Sequence, residues 1–531
     1  MNQPTTTRPP ATSGTLRGPG STLSWGVPIA ALALVGCGAL LWATRWGLGL
    51  RSDSAVYVAA AWNLLAGNGL SWLSGGGEIR PMTLHAPLLS ILLASAAAMG
   101  FDVLVVARGL NAACLGLEVM LVGLLGRRMT RSAAFGLLAA MVMAGTGEML
   151  RVHAWLMSEP LFIVLMLAGL LALLRYGEDR RRWWLGLGSL AFALAALTRY
   201  GGLALPAAGA VYLMLDPGTS WRRRIGDAAL MLTLGFTPSI IWMARNALLT
   251  GQTGGRSFGI HLDAWPALRD QAMAIILNWY APLRLVDRIM SQRGVGAILV
   301  GLAGLSVMVV GVVMLTRRAR QSIAGDESLS GLVLVGVCLL SYLGVVFFAA
   351  VFSSPGADVD ERVLSPVYPL LWLVLVAGLG WLWGRRSMAL RVVVGLLLLV
   401  LLRNKLVYDY YTIRELSADG LGYASRAWRS SATIREVIAM DPGVIYTNDT
   451  AAIYLLANRS SYWVPWALPD YDPASADRIE AEMLDVLLER DGVVVLFGGG
   501  DLPAGWSGAG LMTEVQTDDG VILLPESGEP G

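Results

Sequence analysis

The sequence predicts a polytopic α-helical membrane protein with about eleven transmembrane helices and a small C-terminal extracytoplasmic α/β domain. Three observations predict it. Apolar residues make up 55% of the 531-residue chain and charged residues only 15%, a balance foreign to ordinary soluble enzymes. Apolar runs near the ~20 residues needed to span a bilayer recur as far as residue 403. Beyond that point helical stretches alternate with short β-branched runs, and 20 acidic residues face 8 basic ones. The net charge of +2 implies no nucleic-acid partner, so the lipid bilayer is the first partner to expect.

Residues 1–26 are rich in Thr, Pro, Gly and Ser and read as a disordered cytoplasmic tail. The first span covers about 27–49. Leu34-Val35-Gly36-Cys37 resembles a lipoprotein cleavage box, but the apolar run continues to Trp42, which favours an uncleaved helix. An outer loop, 50–102, follows. Further spans are expected near 103–126, 133–149, 158–174, 183–198, 201–215, 228–248, 294–315, 330–352, 366–384 and 387–403. Arginines cluster at Arg127, Arg128 and Arg131; at Arg175 with Arg180 to Arg182; at Arg222 to Arg224; at Arg317, Arg318 and Arg320; and at Arg385 with Arg386. Alternating crossings from an inside N-terminus put all five clusters on the cytoplasmic face. That count requires Leu84–Gly100 not to cross, so it reads as interfacial or re-entrant. Residues 404–531 then lie outside as an acidic domain, with a helical stretch Ser425–Met440 and strands at Val444–Thr447 and Val493–Phe497. The cysteines, Cys37, Cys114 and Cys338, each sit in an apolar run and form neither a disulfide framework nor a zinc site.

This topology gathers ionisable residues on the outer side, where they are costly unless they line a wet cavity or the interface. Asp53 opens Asp53-Ser54-Ala55-Val56-Tyr57, in which Val56, Ala60 and Leu64 recur at helical spacing. As an N-cap it would accept backbone N–H bonds and stay ionised, which also suits a general base or a metal ligand. His153 and Glu159 flank another helix start, where Glu159-Pro160 is ordinary capping grammar. His85 lies in the outer loop. In Thr198-Arg199-Tyr200-Gly201-Gly202 an arginine at headgroup depth beside backbone N–H groups suits a lipid phosphate, although snorkelling alone explains many such arginines. Arg362, in Asp360-Glu361-Arg362-Val363-Leu364, suits a phosphate or simply pairs with Asp360.

At these residues the chain resembles the GT-C superfamily of integral-membrane glycosyltransferases, in the bacterial branch of protein O-mannosyltransferase and aminoarabinose-transferase relatives. The resemblance spans most of the chain. It rests on Asp53 to Gly69, Leu84-His85-Ala86-Pro87-Leu88-Leu89, Ser158-Glu159-Pro160-Leu161-Phe162, Leu197-Thr198-Arg199-Tyr200 and Arg362-Val363-Leu364-Ser365-Pro366. Ile445-Tyr446-Thr447-Asn448-Asp449 and Tyr454 to Arg459 add to it. It implies a GT-C-like catalytic domain over 27–403 and a hexosyl- or pentosyltransferase of the bacterial plasma membrane. The implied partners are a polyprenyl-phosphate sugar donor and an extracytoplasmic glycan, lipid or protein acceptor. The implied catalytic acid is Asp53. Glu159, His153 and His85 are candidates for orienting the acceptor, for a second acid or for ligating a divalent cation, and no other cofactor is implied. Arg199, Arg362 and Tyr200 are candidates for the donor phosphate. Family members often carry an acidic pair where this chain has Asp53-Ser54, a departure that bears on metal use. A transporter or flippase of lipid-linked saccharide and a glycan ligase or polymerase are the rival readings. The absence of repeated halves counts against the transporter.

Overall fold

A computed structural model describes residues 20–73, 78–216, 218–280, 327–354, 359–384, 387–467, 476–498 and 511–525. Helix α1 (Gly20–Ala43) is followed by α2 (Ser52–Leu65), the hairpin β1 (Ser71–Leu73) and β2 (Ile79–Pro81), and α3 (Leu88–Ala98). At 11 residues α3 is about 16 Å long, too short to cross a ~30 Å hydrocarbon core. Five described helices are long and apolar enough to span, and a sixth if one bent pair counts as a single crossing. They include α4 (Val103–Thr130), α7 (Glu159–Asp179), α10 (Trp221–Thr250) and α12 (Glu327–Phe352) beside α1. The bent pair is α5 (Ala133–Ala144) and α6 (Gly147–His153), turned by 55° at their junction. Shorter apolar helices complete the bundle: α8 (Arg182–Thr198), α9 (Ala204–Leu215) and α14 (Val367–Trp383); the chain also forms α11 (Trp265–Tyr280) and the antiparallel pair β3 (Ser257–Phe258) and β4 (Ser353–Ser354). The expected span at 294–315 and the arginines at 317–320 and 385–386 lie outside the described residues.

Helix α4 is the hub. Asp102 caps its start by accepting from the Val105 N–H at 2.9 Å, and Arg127 and Arg128 occupy its last turn, where cations complement the helix dipole. The α4–α5 hairpin closes tightly because Gly136 has no side chain: a Cβ there would stand 2.7 Å from Arg127 Cβ and 2.9 Å from the Gly123 carbonyl oxygen. Three arginine clusters meet at this end of the bundle. Arg128 Nη2 pairs with Glu178 at 3.0 Å, and Arg223 donates to the Arg180 carbonyl at 3.1 Å.

The last long helix, α15 (Met388–Asp419), runs 32 residues, about 48 Å, well past any hydrocarbon core. Residue 404, where the tail was expected to begin, therefore lies inside a helix. Its polar half packs on α6. Lys405, 5% exposed, places Nζ 2.5 Å from Glu148 Oε1 and 5.3 Å from the Tyr368 ring centroid. Thr146 Oγ1 donates to the other Glu148 oxygen at 2.7 Å, and Arg151 pairs with Glu415.

After Asp419 the chain turns back on the first loop. Gly420 and Gly422 have positive φ, which glycine adopts without cost, and a Cβ at Gly422 would collide with the Leu50 carbonyl. Tyr423 N donates to that carbonyl at 3.0 Å. The expected 425–440 helix is two pieces, α16 (Arg426–Arg429) and α17 (Ala432–Met440). Ser431 breaks it by capping the second piece, accepting from Ile434 N at 3.0 Å. Strands β5 (Val444–Thr447), β6 (Tyr462–Trp463), β7 (Gly492–Phe497), β8 (Leu511–Gln516) and β9 (Gly520–Pro525) form one mixed sheet in the order β6-β5-β7-β9-β8. Its first three strands are parallel and β9 and β8 run antiparallel. β7 is buried on both faces, as its unbroken Val-Val-Val-Leu-Phe run requires.

Candidate active site

The site begins where α1 gives way to α2. Gly49 N donates to the Ala154 carbonyl at 2.7 Å, and Leu156 N returns a bond to the Gly49 carbonyl at 2.9 Å. Ser54 Oγ donates to the Leu156 carbonyl at 2.9 Å and accepts from Arg51 N at 3.1 Å. The helix-capping role expected of Asp53 thus falls to Arg51 and Ser54. Asp53 sits in the first turn with no backbone partner among the described residues. Its carboxylate is free for other side chains.

Two groups take it. His85 Nε2 lies 3.3 Å from Asp53 Oδ1, and Arg362 Nη1 lies 2.5 Å from Oδ2. Burial pushes the Asp53 carboxyl up, but the bond and charge of His85 and the charge of Arg362 outweigh it and hold the group well below the usual carboxylate range. Asp53 nevertheless keeps 31% of its side chain exposed, and Arg362 28%. The site is half open.

Arg362 is aimed by its own short helix, α13 (Glu361–Leu364), capped where Asp360 accepts from Val363 N at 2.7 Å. Its Nε stands 3.4 Å from Asp360 and 3.5 Å from Glu159 Oε1. Glu159, fully buried, also pairs with Arg199, whose guanidinium reaches Ser158 Oγ at 3.4 Å. Tyr57 donates to the same Ser158 oxygen at 3.2 Å and meets the His85 ring edge-on at 5.1 Å. Asp53, His85, Glu159, Arg199 and Arg362 thus form one connected cluster from five distant stretches of chain. Glu159 is its sealed counter-ion. A group with no solvent exposure is badly placed to orient an acceptor.

Two expected members lie elsewhere. His153 is fully buried, with Nδ1 on the Met149 carbonyl at 2.9 Å and Nε2 3.2 Å from the equally buried Glu118, so it neither meets an acceptor nor joins Asp53. The Tyr200 hydroxyl donates to the Thr83 carbonyl at 2.6 Å and accepts from Trp242 Nε1 at 2.9 Å. That bond straps down the loop carrying His85 and leaves the hydroxyl committed rather than offered to a phosphate. Arg245 reinforces the strap through the Met82 and Leu70 carbonyls, at 3.0 and 2.9 Å. These straps were not legible in the sequence: Tyr200 was expected at the donor phosphate, and no local pattern pairs Trp242 or Arg245 with residues 70–83.

A divalent cation does not fit this donor set. Both oxygens of Asp53 are taken by cationic or hydrogen-bonding partners, and two guanidiniums stand beside the carboxylates. Among the described residues no group of three or more His, Cys, Asp or Glu side chains is arranged to hold a metal ion. The arrangement instead suits an anion entering beside Arg362 and a hydroxyl entering beside Asp53 and His85.

Comparison with known proteins bears out the GT-C resemblance. A family model described as dolichyl-phosphate-mannose-protein mannosyltransferase matches residues 84–242, which carry His85, Glu159 and Arg199. Among solved structures, the archaeal oligosaccharyltransferase AglB from Archaeoglobus fulgidus, in complex with an inhibitory peptide and a dolichol-phosphate, aligns over 90% of this chain and 70% of its own, with 13% identity and a TM-score of 0.54. The A. fulgidus oligosaccharyltransferase in complex with Zn and sulfate aligns over 88% and 68%, with 13% identity and a TM-score of 0.51. ArnT from Cupriavidus metallidurans in the apo state aligns over 95% and 98%, with 15% identity and a TM-score of 0.48. At these identities the oligosaccharyltransferase likeness is one of fold. No curated protein matches the sequence.

Proposed function

We propose that the protein transfers a sugar from a polyprenyl-phosphate donor to an extracytoplasmic acceptor, by a single displacement that inverts the anomeric centre. The observation that carries this reading is the half-open contact of Asp53 with Arg362 in a fold shared with an oligosaccharyltransferase that binds a dolichol-phosphate. The donor phosphate takes the guanidinium of Arg362, 28% of whose side chain is open to solvent beside Asp53. Arg199 stands behind it and balances Glu159. Asp53 and its partner His85 face the acceptor hydroxyl on the opposite side of the anomeric carbon. A phosphate is already a fair leaving group, so positioning with proton transfer worth about 10²–10⁴-fold meets the chemical need.

In this reading residues 27–403 are the membrane-embedded catalytic part, crossed about eleven times, with loop 50–102 and residues 404–531 outside and the arginine-rich end in the cytoplasm of a bacterial cell. The apolar helices and the gathering of three arginine clusters at one end support it.

The test is purified protein in detergent, supplied with polyprenyl-monophosphate and polyprenyl-diphosphate sugars in parallel. Transfer from the monophosphate, lowered at least a hundredfold in Asp53→Asn, is expected. Full turnover by that variant removes Asp53 from the reaction. Transfer from the diphosphate alone makes the protein a ligase, and movement of lipid-linked sugar across vesicles without bond formation makes it a transporter.

A further inference from the structure

We infer that His85, rather than Asp53, takes the acceptor's proton, with Asp53 as its orienting carboxylate; this rests on the transferase reading above. Three features of the geometry carry the inference. Both Asp53 oxygens are engaged, one by His85 and the other by Arg362. A carboxylate bound by two such partners is stabilised as the anion and is a correspondingly reluctant base. His85 has only one nitrogen engaged. Nε2 faces Asp53, while Nδ1 has no hydrogen-bond partner among the described residues, and the side chain keeps 14% of its surface open.

A carboxylate that cannot donate fixes the tautomer. Nε2 carries the proton and gives it to Asp53 Oδ1, which leaves the Nδ1 lone pair as the free base. This is the division of labour in the Ser-His-Asp template, where the carboxylate orients the imidazole and stabilises the imidazolium without being protonated. The surroundings hold the ring in place. Tyr57 meets it edge-on, and Tyr200 and Arg245 tie the preceding residues Thr83 and Met82 by their carbonyls. The charged and titratable groups bearing on the ring are thus Asp53 and Tyr57 from α2, Arg362 through Asp53, and Tyr200 and Arg245 from the straps.

The step balances. Nδ1 takes the proton from the acceptor hydroxyl as that oxygen forms a bond to the anomeric carbon. The bond from that carbon to the phosphate oxygen breaks, and its electron pair leaves on the polyprenyl phosphate. The imidazolium, paired with Asp53, then returns its proton to the released phosphate, which has gained one negative charge.

Two readouts test it. The first needs no turnover. The chain has three histidines, and diethyl pyrocarbonate followed by peptide mass spectrometry should modify His85 at least tenfold faster than sealed His153. A His85 as inert as His153 overturns the dyad whatever the activity. The second is kinetic. His85→Ala should lower kcat by about 10²–10⁴-fold with little change in donor KM. Added imidazole should restore part of the rate, increasingly as pH rises through the range where imidazole loses its proton. His85→Gln, which fills the space and hydrogen-bonds to Asp53, should remain as slow as His85→Ala. A His85→Gln protein at wild-type rate, or a His85→Ala protein deaf to imidazole, makes His85 a packing residue and returns the proton to Asp53. A wild-type protein that transfers no sugar from any polyprenyl-linked donor overturns the transferase reading and this inference with it, an outcome the rescue data cannot mimic.

Discussion

Arg362 bridges Asp53 and Glu159, one carboxylate half open and the other sealed, and this fixes what replacing it should do. Lysine keeps the charge but not the planar fork, so it cannot face both carboxylates. Arg362→Lys is expected to lose about tenfold in kcat/KM and Arg362→Gln about a hundredfold or more, read from initial rates over a range of donor concentrations. The pH behaviour of Asp53 follows from its lowered proton affinity. A carboxylate held down in the folded protein contributes stability that is fully present above its unfolded value near 3.9, and the contribution fades only as pH falls through the lower folded value. The melting-temperature difference between wild type and Asp53→Asn should therefore shrink as pH falls from about 4 into stronger acid. Each residue of the cluster was legible in the sequence as an ionisable group near an outer helix end. Their mutual contacts were not. Asp53 and Arg362 lie 309 positions apart, and no local pattern encodes a meeting that depends on how whole helices pack. The capping role expected of Asp53 failed for a local reason, since Ser54, one residue on, performs the reciprocal cap.

At the scale of elements, the junction of α6 with the Asp53 loop rests on a buried pair inside the bundle. The His153 Nδ1–H donates to the Met149 carbonyl at 2.9 Å, and Nε2 stands 3.2 Å from Glu118, both side chains sealed from solvent. Asn111 Nδ2 adds bonds to the His153 and Trp155 carbonyls, each at 2.8 Å. Removing one member strands the other. Glu118→Ala is expected to cost about 3–5 kcal/mol, and Glu118→Gln far less because its amide can donate to Nε2. Unfolding by denaturing detergent would measure both. The described long helices were legible because apolar runs near bilayer length leave few alternatives. The overrun of α15 was not, because the hydrophobic signal fades after residue 403 while the helix continues on polar contacts to α6.

For the whole molecule, the sheet-bearing end matters through attachment. Residues 420–424 press on Leu50, three positions before Asp53, and a second bond joins Trp46 Nε1 to the Ser417 carbonyl at 2.9 Å. Truncation after Asp419 should therefore lower turnover at least tenfold even if the removed part touches no substrate. Gly422→Val, which puts a side chain against the Leu50 carbonyl, should give a similar loss in the full chain. Matching kcat values for the two variants would place the defect in loop alignment, whereas a loss of acceptor affinity confined to the truncation would mark the sheet as a binding surface. The mixed sheet was foreshadowed by two of its five strands, Val444–Thr447 and Val493–Phe497. The short β6 carries too little pattern to stand out.

The sequestered Lys405 has a practical corollary. It is the sole lysine of the sequence and lies against Glu148 beneath a tyrosine ring, so succinimidyl dyes and other acylating reagents find no reactive side-chain amine on the folded surface. A reagent of that kind should leave Lys405 unmodified in the folded protein and acylate it only after denaturation, a contrast that peptide mass spectrometry reads directly.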